Sequence, residues 1–322
     1  MVELKQCKIA PNKGVLEATD IDEHAHNLRN WQQQYDQISN GRFYGRIDEV
    51  VLDQVHTFHE FTSHAVKQQC NVWPNSIWFG FSANDKKCRI NGEIISENQV
   101  MIRPGNTQFE LVTPEQFDIF GVVVNQDALI NVAEKQGVEL RSADLFSSPC
   151  SRQLKRLNNL KHILNDLLRP EHAGSVSTIQ QDILITTVLD ILQKADDIKH
   201  VRPSFSHRKA VVDKIETYLQ SNLHRPLTIT ELCEMAHVSR RTLQYSFEDI
   251  LGISPLRYLR IMRLNAVRRT LLKDFDYKET ISEVAERWGF LHAGQFSHDY
   301  TQLFGENPST TAERKRAAVN HF

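Results

Sequence analysis

TITELCEMAHVSRRTLQYSFEDILGISP, residues 228–255, is repeated in pattern by TISEVAERWGFLHAGQFSHDYTQLFGENP, residues 280–308. Each copy begins with Thr-x-x-Glu, the capping box that starts a helix by satisfying backbone N–H groups. Apolar residues then recur every three or four positions, and each copy ends with a Gly followed three residues later by Pro, which is a helix stop. The repeat predicts two helix-turn-helix units, each with a short helix, a tight turn and a longer helix.

One continuous helix is predicted between the two units, over PLRYLRIMRLNAVRRTLL, residues 255–272. Apolar residues lie along one face of this segment at helical spacing. At 1.5 Å per residue it would span about 27 Å, and successive major grooves on one face of DNA are about 34 Å apart. With the thickness of the two units added, such a helix would hold two reading helices one turn of DNA apart within a single chain.

The composition indicates a globular protein with a basic C-terminal part. Of the 322 residues, 40% are hydrophobic and 24% are charged, which excludes a disordered or low-complexity chain. From Ser206 onward there are 17 Lys and Arg against 14 Asp and Glu, a net charge of +3, which leaves −5 for the rest of the chain. A mildly basic module at the C-terminus favours a polyanionic partner.

The first part of the chain is predicted to be β-rich. Short extended runs such as NVWPNSIWFGFS (71–82) and FDIFGVVV (117–124) alternate with turn residues, which is typical of a sandwich or small barrel. Helical spacing follows from Asn125, and a polar stretch with Pro203 separates these helices from the repeat. The predicted fold class is α+β: a sandwich- or barrel-like N-terminal domain with helices, followed by an all-α domain of two helix-turn-helix units joined by a long helix.

A family pattern runs through the repeat. S-x-R-x-L-x-x-x-F-x-x-x-x-G-x-S-P-x-x-Y-L starts at Ser239, RLNAVRR follows at 263–269, and I-x-x-x-A-x-x-x-G-F starts at Ile281. These motifs resemble the DNA-binding domain of the AraC (arabinose-regulator) family, over about residues 208–310. The resemblance implies a sequence-specific transcriptional activator that responds to a small-molecule effector.

Further segments resemble the regulators of ethanolamine-utilisation operons within that family. They are WQQQYDQ (31–37), NVWPNSIWFG (71–80), RPG (103–105), VSRRTLQ (238–244) and WGFLHAGQF from Trp288. This resemblance implies ethanolamine together with adenosylcobalamin as the effectors, with adenosylcobalamin a co-effector rather than a catalytic cofactor. It also implies double-stranded DNA and RNA polymerase as partners, and a possible homodimer.

The resemblance assigns roles to the three parts of the chain. Residues 1–195 are expected to sense the ligand. Within them, the helical segment 175–195 is a candidate for a dimerisation surface. The alternative is that its apolar stripe packs on its own β domain. Residues 196–207 are expected to be a linker. Residues 208–322 are expected to form the double helix-turn-helix DNA-binding domain.

The second helix of each unit is expected to enter the major groove, where its first exposed residues meet base edges. Arg pairs bidentately with guanine and Gln with adenine, which suits direct readout. The predicted base contacts are Arg240, Arg241, Gln244 and Tyr245 in the first unit, and Gly294, Ser297 and His298 in the second. The predicted phosphate contacts are Arg257, Arg260, Arg268, Arg269 and His292, whereas Arg263 is expected to form a structural ion pair.

The effector site is predicted around aromatic residues of the β-rich part, since sensing pockets combine aromatic walls with a few polar groups. An acidic side chain or an aromatic cage would suit a small ammonium ligand. The candidates are Trp73, Trp78, Phe79, Arg103 and Glu110.

Other classes of protein find little support in the sequence. The motifs of hydrolases, dinucleotide-binding proteins and P-loop proteins are not found, and neither His24 with His26 nor His56 with His59 has the spacing of a metal site, so we expect neither an enzyme nor a metal centre. The five cysteines form no CxxC pair. Without a long apolar run or a signal-like start, a cytoplasmic protein with no membrane partner is expected. The alternatives are an AraC-type regulator that senses another small metabolite, or a small-molecule enzyme with a helical interaction module.

Overall fold

The computed structural model describes residues 12–96, 99–138, 140, 150–153, 157–169, 178–194, 196–197, 203–225, 227–275 and 279–319. The chain forms two compact units. The first unit comprises Met1–Gln34, Tyr44–Ser63 and Gln69–Lys199. The second comprises Tyr35–Phe43, His64–Gln68 and His200–Phe322.

Thirteen strands occur within the described residues. They are β1 (Asn12–Ala18), β2 (Gln32–Gln37), β3 (Gly45–Val51), β4 (Val55–Thr62), β5 (Val66–Asn71), β6 (Ser76–Ser82), β7 (Cys88–Ile90), β8 (Glu93–Ile95), β9 (Gln99–Pro104), β10 (Phe109–Thr113), β11 (Phe117–Asn125), β12 (Cys150–Gln153) and β13 (Asp196–Asp197). They form an eight-stranded sheet in the order β1-β3-β4-β11-β6-β9-β12-β13 and a five-stranded sheet in the order β2-β5-β10-β7-β8.

Eleven α-helices occur in the same described ranges. They are α1 (Ile21–His26), α2 (Gln126–Lys135), α3 (Leu157–Leu168), α4 (Thr178–Lys194), α5 (Pro203–Asn222), α6 (Ile229–Ala236), α7 (Arg240–Leu251), α8 (Pro255–Arg269), α9 (Ile281–Arg287), α10 (Ala293–Phe304) and α11 (Pro308–Val319). None of the described helices is both long enough and apolar enough to cross a membrane.

Two apolar clusters form from residues on opposite faces of the eight-stranded sheet, because side chains alternate between faces along each strand. Phe79 of β6 packs in one cluster with helix residues such as Leu164 and Leu184. Its neighbour Trp78 packs in the other cluster, with Phe109 of the five-stranded sheet. The predicted fold class, a β-rich domain followed by an all-α domain with two helix-turn-helix units, is confirmed.

The apolar stripe of α4 packs largely on its own sheet. Leu184 and Val188 are fully buried in the cluster that contains Phe79. Ile179 and Ile183, one turn apart near the start of the helix, are 67% and 44% exposed. Among the described residues of α4, burial of the stripe therefore leaves this pair of large apolar side chains available to a second chain.

The predicted linker contains regular structure at both ends. Asp196–Asp197 is a strand that pairs with β12, and Pro203 starts α5, a position where its fixed φ and missing N–H suit a helix. Residues 198–202 lie outside the described ranges. The connecting helix was predicted to run from Pro255 to Leu272; α8 ends at Arg269, and Thr270–Asp274 continue as a π-helical turn.

Candidate nucleic-acid interface and effector site

The first helix-turn-helix unit consists of α6, a turn and α7. The Thr228 amide donates to Glu231 Oε2 over 2.8 Å, and the Glu231 amide donates to Thr228 Oγ1 over 3.2 Å, so the predicted capping box forms. The Thr228 amide is the main cause that lowers the pKa of the Glu231 carboxyl below its usual value. The turn is closed by His237 at φ 56°, and Ser239 caps α7 by accepting from the Thr242 amide over 3.1 Å. Ser239 is therefore the N-cap of α7.

The outward face of α7, the reading helix of this unit, carries the predicted base contacts. Leu243 and Phe247 are fully buried and fix which side of the helix packs inward. Arg240 and Arg241 are exposed at its first turn. In a helix-turn-helix protein this turn is the part that reaches base edges.

Two pairs of side chains, each one turn apart, order that outward face. The Arg241 guanidinium lies 5.3 Å from the centre of the Tyr245 ring, and Arg241 Nη2 is 3.4 Å from Tyr245 Oη. Gln244 Nε2 donates to Glu248 Oε1. Tyr245 is 53% exposed. The pairs restrict the rotamers of the two long donors, Arg241 and Gln244, before any ligand arrives.

The second helix-turn-helix unit has the same local construction. The Thr280 amide donates to Glu283 Oε2 over 2.6 Å, which lowers the pKa of the Glu283 carboxyl, and the Glu283 amide donates to Thr280 Oγ1 over 3.2 Å. The turn is closed by Gly289 at φ 83°, the position that His237 holds in the first helix-turn-helix unit, and the one extra residue of this turn lies between Gly289 and His292. His292 precedes the reading helix α10 without a side-chain cap bond.

The outward face of α10 lacks long donors near its start. Ala293, Gly294 and His298 are exposed and Ser297 is half-buried. Gly294 lies in the first turn of α10, where backbone N–H groups have no acceptor within the helix and can meet an anion, and a Cβ placed on it would meet nothing within 4 Å. Gln295 donates to Asp299 Oδ1 over 2.8 Å instead of extending outward. The structure thus brings the predicted residues of this unit onto one exposed surface, but with short side chains.

The arginines of the connecting helix α8 divide by their partners. Arg257 is exposed. Arg260 forms an ion pair with Asp299 of α10 while its side chain is about half exposed. Arg263 was expected in an ion pair, but its guanidinium donates to the Leu223 and Arg225 carbonyls over 3.1 and 2.7 Å.

Two further arginines of the predicted phosphate set are engaged inside the second unit. Arg269 Nη1 lies 2.7 Å from Asp36 Oδ1 and donates to the Tyr35 carbonyl over 3.3 Å. Arg268 is 3% exposed, and its Nη1 lies 2.8 Å from Glu306 Oε1.

Burial corrects the assignment of Arg268 to a phosphate contact. Its guanidinium also lies 4.7 Å from the centre of the Phe304 ring and within 3.5 Å of Tyr300 Oη. The same burial raises the pKa of Tyr300 to about 12. A phosphate could reach this guanidinium only if α10 and α11 came apart, so Arg268 acts as a structural cation.

One predicted effector residue, Trp78, lies in an aromatic cluster of the first compact unit. Trp78 stacks on Phe109 with ring centres 4.9 Å apart, and Trp31 meets both rings edge-on at 5.9 and 6.4 Å. The indole Nε1 atoms of Trp31 and Trp78 are buried without a hydrogen-bond acceptor in the structure. Two such donors in one aromatic cluster are what a ligand with acceptor atoms requires.

Arg103 borders the same cluster, whereas Glu110 contacts Gln69 and Phe79 packs elsewhere. The Arg103 guanidinium lies 5.9 Å from the centre of the Phe109 ring, and Glu110 Oε2 accepts from Gln69 over 3.2 Å. Trp73 stacks on His56 at 5.9 Å. Phe79 does not join this cluster, since it lies on the opposite face of the sheet from Trp78 and packs with helices.

One histidine of each pair noted in the sequence contacts a buried carboxylate. His24 Nε2 lies 2.9 Å from Glu60 Oε1, and His56 Nε2 lies 3.0 Å from Glu49 Oε2, all buried. In the ranges that the structure describes, no three His, Cys, Asp or Glu side chains are grouped so as to hold a metal ion.

Comparison with known proteins bears on the helical repeat. Residues 232–314 match the family model described as "Helix-turn-helix domain". The XylDLEGF operon transcriptional activator 2 of Pseudomonas putida is 34% identical over 110 residues, which are 34% of this chain and 70% of that protein. The chain belongs to the AraC family of transcriptional regulators.

Two other relatives also match about a third of this AraC-family chain. The probable thc operon regulatory protein of Rhodococcus erythropolis is 41% identical over 92 residues, 29% of this chain and 28% of that protein. A solved structure of a probable AraC family transcriptional regulator from Rhodopseudomonas palustris CGA009 is 31% identical, with a TM-score of 0.31, and covers 33% of this chain and 96% of that one. The chain spans between about a quarter and about half of the length of the first curated relatives it matches, all of them named as regulators or activators.

Sequence reasoning missed one polar cluster in the second unit of this AraC-family chain. Asn265 of α8 is 1% exposed; its Oδ1 accepts from the Gln37 amide and its Nδ2 donates to the Gln37 carbonyl, both over 3.0 Å. Gln37 Nε2 in turn donates to the Leu303 carbonyl of α10 over 2.7 Å. The available signal was an Asn between apolar residues in RLNAV, because a polar residue on a buried helix face needs partners.

Proposed function

We propose that this chain is a sequence-specific transcriptional activator that binds double-stranded DNA through both helix-turn-helix units. The observation that carries the proposal is the outward face of α7, where Arg240, Arg241 and Gln244 stand on a capped and well-packed helix. These side chains have the donors that read guanine and adenine in the major groove. The second helix-turn-helix unit supplies a surface with short side chains and accessible backbone, which suits phosphate contact and readout of DNA shape.

The test of DNA binding compares two exposed arginines, Arg241 on the reading helix α7 and Arg257 on the connecting helix α8. Fluorescence anisotropy would measure the Kd for a duplex from the chain's own upstream region and for a scrambled duplex, over a salt series. Arg241→Ala should lower the preference for the upstream duplex by about 1–3 kcal/mol, the value of one bidentate base contact. Arg257→Ala is the matched control, which should weaken both duplexes alike. Equal binding of both duplexes by the wild type would refute sequence-specific DNA binding.

We propose ethanolamine and adenosylcobalamin as the effectors, sensed by the first unit. In the cluster of Trp31, Trp78 and Phe109 the indole N–H groups of Trp31 and Trp78 are buried without an acceptor, which suits the hydroxyl oxygen of ethanolamine, and Glu110 follows Phe109 on β10 as a candidate for its ammonium group. The resemblance of residues 31–37 and 71–80 to ethanolamine-responsive regulators supports the same choice. To regulate, the effector must bind two arrangements of the chain with different affinity.

Calorimetry distinguishes this effector from other metabolites. Titration with ethanolamine and adenosylcobalamin, singly and together, should give binding that Trp78→Leu abolishes while the helical content of the chain is retained. Leu291→Ala, at an exposed position of the second unit, is the control and should bind as the wild type does. Absence of heat with both compounds would leave the regulator in place and assign it another small metabolite.

Homodimer formation and contact with RNA polymerase complete the proposed mechanism. The exposed pair Ile179 and Ile183 on α4 supports a dimer surface, since the rest of that apolar stripe is buried in its own unit. Sedimentation velocity should show a dimer that Ile183→Glu converts to a monomer.

Transcription in vitro with purified polymerase, with and without the effectors, tests activation.

A further inference from the structure

A groove lies beside the reading helix of the first helix-turn-helix unit, between α5 and α7. It is lined by His207 and Arg208 of α5 and by Thr242, Tyr245 and Asp249 of α7, all within the second unit. Its volume is about 410 Å³. Of these five side chains, only Tyr245 is among the predicted DNA contacts.

The groove lies on the flank of α7 rather than on its outermost face. At 3.6 residues per turn, Thr242 and Asp249 are rotated by about 80–100° from Arg241 around the helix axis, and Tyr245 by about 40°. A helix about 10–12 Å across fills a major groove about 12 Å wide, so its flanks meet the sugar-phosphate backbones. A groove at this place therefore faces a DNA strand when Arg241 faces base edges.

The ion pair of the groove can be replaced by a stronger one with a phosphate. Arg208 Nε lies 2.8 Å from Asp249 Oδ2, and these side chains are 31% and 47% exposed. An ion pair this exposed is weak, because water screens it and two flexible side chains must be held. A phosphate offers the same guanidinium a charge-assisted, bidentate partner. Tyr245 Oη lies 3.4 Å from Arg241 Nη2, an arrangement in which the hydroxyl accepts and keeps its own proton for a further acceptor.

We propose that this groove binds a phosphodiester of the DNA backbone beside the base pairs that α7 reads. Arg208 is the cation that meets the phosphate, the Tyr245 hydroxyl is a second donor, and Asp249 holds the guanidinium until DNA replaces it. The assignment rests on the proposed DNA binding and adds Arg208, on a helix that precedes both units, to its contacts. It also makes Tyr245 a backbone contact, not a base contact.

The experiment measures the Kd of full-length variants for the upstream duplex and for a scrambled duplex of equal length, between 50 and 200 mM salt. Arg208→Gln should reduce the slope of log Kd against log salt by about 0.9, so the weakening over this fourfold range of salt becomes about 3.5-fold smaller than in the wild type. Tyr245→Phe should weaken both duplexes by the same factor, and Asp249→Asn should tighten both. Lys214→Gln, further along α5, is the control that should leave the slope unchanged.

Each alternative outcome has a distinct meaning. If Arg208→Gln keeps the wild-type slope, or Tyr245→Phe weakens only the upstream duplex, the groove does not bind phosphate. If Arg208→Gln melts early by circular dichroism at 222 nm, the decision passes to Asp249→Asn, for which affinity equal to or weaker than the wild type overturns the proposal. If the wild-type chain binds neither duplex preferentially, the proposed function is refuted. Failure of the groove proposal is a different result, because it is seen in the variants while the wild type still prefers the upstream duplex.

Discussion

Replacement of Arg268 by Ala tests the burial of a cation that the sequence placed on the DNA surface. The Arg268 and Glu306 side chains are 4% and 9% exposed and their charged atoms lie 2.8 Å apart, with Thr311 Oγ1 within 3.3 Å of the same nitrogen. Removal of the guanidinium leaves the Glu306 carboxylate buried and partly unpaired, although Arg314 still contacts its second oxygen. Breaking a buried pair in this way costs about 3–5 kcal/mol.

The assay is urea unfolding of the full-length chain, followed by circular dichroism at 222 nm. With a denaturant slope of about 2 kcal/mol per molar, the midpoint of the helical transition should fall by about 1.5–2.5 M. Arg257→Ala, at an exposed position of the same helix, should change stability by less than about 0.5 kcal/mol. The double variant Arg268→Met with Glu306→Leu should regain most of the loss, because no isolated charge stays buried.

The reasoning has a clear refutation. If Arg268→Ala unfolds at the wild-type urea midpoint while the salt dependence of DNA binding falls by about 0.9, then the side chain contacts a phosphate and the burial argument is wrong.

Three further changes probe other parts of the chain. Gly121→Ala should lower stability by about 1–3 kcal/mol in thermal melts, because its Cβ would lie 2.1 Å from the buried Phe58 ring; an unchanged melting temperature would contradict that packing. The pKa of Glu283 is lowered in the folded chain, so its ionised carboxylate stabilises the fold at neutral pH, and this stabilisation is lost as the pH falls through the folded pKa. The stability difference between the wild type and Glu283→Gln should therefore be largest at neutral pH and vanish in acid. A pH-independent difference would exclude this role of the carboxylate. Asn265→Ala should cost about 1–3 kcal/mol for each Gln37 backbone group left without a partner, measured by urea unfolding against Asn40→Ala, at an exposed position of the same compact unit, as the control.

Local signals in the sequence were sufficient for the helix-turn-helix units. A capping box depends on residues three positions apart, and Ser239 caps a helix that begins at the next residue, so both can be read without knowledge of the rest of the chain. The period of the apolar residues then places Leu243 and Phe247 inward and Arg241 outward. Every step of that inference uses residues of one helix and its cap.

Contacts between distant segments were beyond the same reasoning. Arg268 occupies α8 amid other arginines, and its burial depends on Glu306, 38 positions later. The partner of Asn265 lies 228 positions earlier. Phe79 was grouped with Trp78 because both are aromatic neighbours, although strand alternation sends them to opposite faces. A single sequence fixes neither the partner of a buried polar group nor the layer that covers a given face of a sheet.

The two reading helices give a bound chain a direction. α7 begins with Arg240 and Arg241, whereas α10 begins with Ala293 and Gly294, so two neighbouring grooves would meet unlike surfaces. A palindrome presents the same base edges from either end and gains nothing from that difference. A site recognised by one chain should therefore be asymmetric, and turning it end for end would point the first unit, and any polymerase contact fixed to the chain, the other way along the promoter.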